Sequence, residues 1–163
     1  MSGSDRTKIH ENCVILGCFE VKGNLYAIDV GHVREIVRWQ PVSPLPKAPS
    51  LIEGVVDLRA AVIPVVDLGR LLLGEPIEPG GRTRILVSEV DGLALGLVVD
   101  AAVDVLSVDV DDLGDPPPLA TQAGYDAMRA IVRRKGEAPI LVLSMEHVLE
   151  SVYRSALDGE EAA

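Results

Sequence analysis

Apolar residues along this chain recur mostly in short alternating or continuous runs of five to nine, separated by turn-forming residues, which is the spacing of β-strands. "CVILGCFE" and "NLYAID" read as two strands joined by "VKG", and "HVREIVRW" as a third. The four prolines of "QPVSPLPKAP" exclude both a helix interior and a central strand from residues 40–49. "SLIEG" predicts one helical turn closed by Gly54. The densest apolar stretch, "GVVDLRAAVIPVVDLG", divides into two strands linked across Arg59 and Ala60. Pro64 in the second implies an edge position or a bulge. "LGRLLLG" predicts a short helix ending at Gly74, and "EPIEPGG" over 75–81 is the best internal boundary. "TRILVSEV" and "LALGLVV" flank Asp91-Gly92, a strong hairpin signal. "AAVDVLSV", "DAMRAIVRR" and "APILVLS" complete the strands. Val148, Leu149, Val152 and Tyr153 fall at helical spacing and predict an amphipathic C-terminal helix over 145–157.

The tally is about ten strands and two short helices, without the βα alternation of a parallel sheet, so the expected fold class is mainly all-β. Composition agrees. Valine occurs 23 times in 163 residues while aromatics make up 3%, and short β-branched side chains favour strands. The expected organisation is a flexible N-terminal arm over 1–12, a domain over 13–153 and an acidic tail over 158–163. A net charge of −10 argues against nucleic acid and against an anionic membrane surface. Asp57, Asp67, Asp100 and Asp104 interrupt the longest apolar runs below the ~20 residues of a membrane span, and residues 1–12 lack the apolar core of a signal peptide. These features predict a soluble, cytoplasmic protein. Cys13 and Cys18 on one strand would stand ~16 Å apart, too far to bridge, and read as reduced thiols. No metal is expected, because the cysteines and the histidines at 10, 32 and 147 are scattered.

A search for chemistry is mostly negative. Neither a phosphate-binding glycine loop nor a nucleophile elbow nor a metalloprotease pair occurs. An EF-hand reading of "DVDDLGD" fails because Leu113 stands where calcium needs oxygen. Asp57, Asp67 and Asp100 each close a β-segment, where a carboxylate ordinarily caps a turn. The conspicuous residue is Arg59, a permanent cation between apolar strands, which must end solvated or paired.

Three stretches in order, "LGCFEVKGNLYAIDVGHVREIVRW", "LPKAPSLIEGVVDLRAAVIPVVDL" and "TRILVSEVDGLALGLVVDAAVDVL", closely resemble the CheW-like family, the coupling proteins of bacterial chemotaxis arrays. The motifs run over residues 13–106, and the looser match extends to about 150. The resemblance implies two intertwined five-stranded SH3-like β-barrels on a shared core, with one lobe near 22–80, the other near 81–145, and the first strand available to either. It implies a non-enzymatic adaptor without cofactors, bridging the cytoplasmic tips of methyl-accepting chemoreceptors to the regulatory domain of the histidine kinase CheA, monomeric in isolation and assembled in arrays. The receptor hairpin would lie in an apolar groove between the lobes. Positions matching the receptor-contact motif are Val33, Glu35, Gly54 and Arg59, with Leu58, Ala60 and Trp39 as further partner contacts.

Arg59 then belongs at a hairpin tip on the groove rim, where Glu35 is its natural counter-ion. The family's N-L-R-G reads "DLRA" here. Ala60 would strain a position that takes positive φ, and Asp57 would compete with Glu35 for the guanidinium. Trp39, the sole tryptophan, reads either as core filler or as a binding anchor. Two other readings are a scaffold of another chemosensory pathway and a small enzyme with an Asp/Arg site in the groove.

Overall fold

The computed structural model describes residues 12–116 and 127–162, with side chains up to Leu157. All but the last residue of the expected N-terminal arm lies outside them. Eleven strands form two sheets. β1 (Cys13–Val21) and β2 (Asn24–Asp29) pair as a hairpin whose turn residues Lys22 and Gly23 both take positive φ, 51° and 83°. A 3-10 turn at Val30–His32, capped by Asp29 Oδ1 accepting from Gly31 N at 2.8 Å, leads to β3 (Val33–Arg38). β4 (Ile52–Leu58) and β5 (Ala61–Asp67) follow, then α1 (Leu68–Leu73). β6 (Arg84–Val90) and β7 (Leu93–Val99) make the Asp-Gly hairpin. β8 (Ala101–Asp109), β9 (Leu113–Gly114), β10 (Met128–Val132) and β11 (Ile140–Leu143) precede α2 (Met145–Ala162).

One sheet has six strands in the order β8-β1-β2-β11-β10-β9, and the other five in the order β3-β6-β7-β5-β4. Both are SH3-like and rolled. In the five-stranded sheet β3 and β4 occupy opposite edges, which a flat sheet would hold ~19 Å apart. Yet Ser43, just beyond β3, pairs with Val55 of β4 through N–H···O bonds of 2.9 and 2.8 Å. In the six-stranded sheet the edge strands β8 and β9 are consecutive across a 3-10 turn, Val110–Asp112.

The main core is shared, as expected. Phe19, Val21, Tyr26 and Ile28 of the six-stranded sheet pack with Val65, Ile85, Leu97 and others of the five-stranded one, and with Met145, Val148 and Val152 of α2. A second cluster, including Leu16, Cys18, Ile140 and Val142, fills the six-stranded barrel.

Several expectations need correction. The 75–81 connector does not divide the lobes: β6 and β7, which follow it, complete the barrel begun by β3–β5, while β1 and β2 belong with β8–β11. Lobes over 22–80 and 81–145 therefore do not describe the molecule, and the sixth strand of one sheet is the two-residue β9. Most strand pairs are antiparallel, in keeping with the missing βα alternation, while β5 pairs β7 and β11 pairs β2 in parallel. "SLIEG" is not a helical turn: Ile52–Gly54 begins β4, because backbone pairing to β5 and Ser43 satisfies groups a lone turn would leave open. β5 is internal, and Pro64 is tolerated because its ladder to β7 starts only at Val65. The bulge lies in β4, between Ile52 and Gly54. Finally, α2 runs on to Ala162, so 158–162 are helical rather than a separate tail.

Candidate functional site

The site begins with an irregularity in β3. Val33 stands opposite Ser88 of β6, but Glu35 stands opposite Val87, so Arg34 is the extra residue of a bulge. Without it, alternation would put Val33 and Glu35 on one face. With it, Val33 and Ile36 face the six-stranded sheet, while Glu35 faces the mouth of the five-stranded barrel. A salt bridge from Arg34 to Glu89 at 3.2 Å fastens the bulge to β6.

Two depressions result, one on each side of β3. The first is a groove of about 300 Å³ at the seam between the sheets. Gly17 and Phe19 of β1 form its floor, Val33, Ile36 and Leu86 one wall, and Ala102–Val105 of β8 the other. Asp104 is the one ionisable carboxylate among its described lining residues. Ile36, Val103 and Val105 are 51%, 48% and 59% exposed, an apolar rim of the kind that marks an interaction surface. Cys18 also lines this groove, and burial, with a smaller contribution from Asp104, pushes its thiol pKa up. Cys13 and Cys18 are both free.

The second depression, about 280 Å³, opens into the barrel mouth and is lined by Arg34, Glu35, Leu58, Arg59, Ala60, Ala61, Ile63 and Val87. Arg59 Nη1 lies 3.5 Å from Glu35 Oε2, with the two side chains 84% and 31% exposed. The expected pair therefore forms, and it ties the β4–β5 turn to the far edge strand. Asp57 is exposed and makes no ion pair with Arg59, so the anticipated competition is absent. The strained residue of the turn is Arg59 itself, at φ 57°, rather than Ala60.

Four of the seven expected contact residues, Glu35, Leu58, Arg59 and Ala60, thus meet at the barrel mouth, and Val33 alone lines the seam. The single groove edged by Arg59 is two, because the bulge turns neighbouring β3 side chains to opposite faces. Trp39 is partly buried against the main core. Gly54 is buried, at φ 153°, and a Cβ there would sit 2.1 Å from the Ser43 carbonyl oxygen. Its missing side chain lets the barrel close. Sequence reasoning missed Gly17, Ile36, Val103 and Val105. One signal was available in β8, where valines at 103 and 105 and apolar residues at 106 and 108 occupy both faces of a strand. Among the described residues no group of three or more His, Cys, Asp or Glu could hold a metal ion, and no helix is long and apolar enough to cross a membrane.

Comparison with known proteins accounts for this architecture. Residues 16–153 match the CheW-like domain. The chain is 33% identical over 138 residues to the chemotaxis protein CheW of Rhizobium meliloti strain 1021, covering 85% of this chain and 88% of that one. It is 30% identical over 141 residues to protein FrzA of Myxococcus xanthus, covering 86% and 88%. The crystal structure of the scaffolding protein TtCheW from Thermoanaerobacter tengcongensis superimposes with a TM-score of 0.72 at 27% identity, over 81% of this chain and 84% of that one. Two rolled sheets on one core, an open apolar seam and this match over most of its length show that the chain belongs to the CheW-like family of chemotaxis scaffolds.

Proposed function

We propose that this protein is a non-enzymatic adaptor that couples methyl-accepting chemoreceptors to the histidine kinase CheA in the cytoplasm, monomeric alone and assembled into arrays with its partners. The observation that carries the reading is that one bulged strand, β3, feeds both an unfilled apolar groove and an ion-paired barrel mouth. A helical receptor tip laid along the seam buries Val33, Ile36, Val103 and Val105, which supply affinity through apolar area. The Glu35–Arg59 pair at the neighbouring mouth sets register and rejects like-charged partners. The CheA regulatory domain, itself CheW-like by the family resemblance, engages surfaces apart from these two depressions.

The test is capture of a receptor-tip fragment and of a CheA regulatory domain by wild type and by Arg59→Ala. Receptor capture falls and kinase capture persists if the reading holds. Equal capture of both partners by the variant removes Arg59 from the site, and capture of neither by wild type removes the adaptor reading.

A further inference from the structure

Glycine inside a strand weakens it and ordinarily marks a bulge, a positive φ or a close approach of backbone. Gly17, in the middle of β1, answers to none of these within the chain. Its register with Ile28 and Val105 is regular, and the β1–β8 irregularity falls after it, between Cys18 and Phe19. Its φ lies outside the left-handed region, and a Cβ built on it comes no closer than 4.0 Å to Ile28 O and Val33 Cγ2. Gly54, Gly69 and Gly96 differ, since a Cβ there would meet neighbours at 2.1, 2.4 and 2.9 Å. The fold thus leaves room at Gly17 for a side chain that the sequence does not supply. The room opens into the seam groove, beneath Val105 and beside Val33.

We propose that Gly17 is a specificity-determining residue, a socket in the groove floor that accepts one bulky apolar side chain from the docked receptor tip. This rests on the adaptor reading above and adds what the groove selects. A strand that presents Phe19 to the core, Gly17 to the groove and exposed Ile15 to solvent grades from dry to wet along the groove axis. The socket is the point where an incoming side chain becomes fully desolvated.

The test uses the full chain and a chemoreceptor cytoplasmic-tip fragment, with thermal melting and CheA regulatory-domain capture measured in parallel. Gly17→Val weakens receptor binding at least tenfold, leaves kinase capture unchanged, and melts no lower than wild type. Gly17→Ala, which fills only the first of that depth, weakens binding less than threefold. Should Gly17→Val melt lower, Ala102→Leu fills the same groove from the exposed β8 wall and serves instead, with the same tenfold loss. Wild-type receptor binding by whichever groove-filling variant is folded overturns the socket, while the adaptor reading stands on the capture of both partners by wild type. Loss of kinase capture in place of receptor capture overturns the proposed occupant. A wild-type protein that binds no receptor fragment removes the adaptor reading and the socket together.

Discussion

Gly54 lies directly beneath the carbonyl of Ser43, close enough that a single added carbon would stand 2.1 Å from that oxygen. The contact is where the five-stranded barrel closes, since Ser43 exchanges two hydrogen bonds with Val55 next door. A residue matching a partner-contact motif is therefore required by the scaffold. Gly54→Ala combines a φ of 153° that only glycine tolerates with loss of both bonds, and costs about 3 kcal/mol or more. That lowers the melting temperature by roughly 6–12 °C for a domain of this size. A shift below ~2 °C would show that the strand junction can part without cost.

Arg59 is held differently. Its side chain is largely exposed, and an ion pair at 3.5 Å on the surface contributes no more than about 0.5 kcal/mol. Its positive φ costs about 1 kcal/mol in a residue with a Cβ. Arg59→Ala therefore melts close to wild type, and Arg59→Gly at or slightly above it. Urea titrations of the three proteins check this. A large destabilisation in Arg59→Ala would make any lost receptor binding a folding effect.

Two aspartates that look alike in sequence part company in the structure. Asp67 is buried and accepts from Arg70 N at 3.2 Å, capping α1, and from Ile77 N at 2.9 Å, fixing the connector that follows. Asp67→Ala removes both acceptors and costs about 2–3 kcal/mol. Asp57 is exposed and caps nothing, so Asp57→Ala stays within about 0.5 kcal/mol of wild type. Chemical denaturation separates the two, and similar losses would contradict the assigned roles.

Cys18 carries a pH signature. Burial, reinforced by Asp104, raises its thiol pKa, so the folded state keeps the proton longer than the unfolded chain. The unfolded chain then binds fewer protons as pH rises through the ordinary thiol range, and stability falls with increasing pH there. The difference in stability between wild type and Cys18→Ala stays constant below about pH 8 and shrinks toward pH 10. A difference independent of pH over that range would contradict it. Thiol reagents at neutral pH label partly exposed Cys13 before buried Cys18.

The sequence by itself determined whatever neighbouring residues decide. The Lys22-Gly23 and Asp91-Gly92 turns, the two-residue link at Arg59-Ala60, the α1 helix between Asp67 and Gly74, and the final strand pair all lie where the pattern put them. The resemblance supplied the two-barrel architecture and named Glu35 and Arg59 as contact positions, and their opposite charges gave the pair. The tertiary structure alone decided which strands share a sheet, and placed β6 and β7 with strands on the far side of the 75–81 connector. It alone turned Val33 and Glu35 to opposite faces through the bulge at Arg34, and set Gly54 under Ser43. The reason is physical. Alternation with period two records which side chains leave water, but carries no label for the partner strand or for the register. Bulges and close backbone approaches arise only when two distant segments meet, so a local pattern cannot encode them.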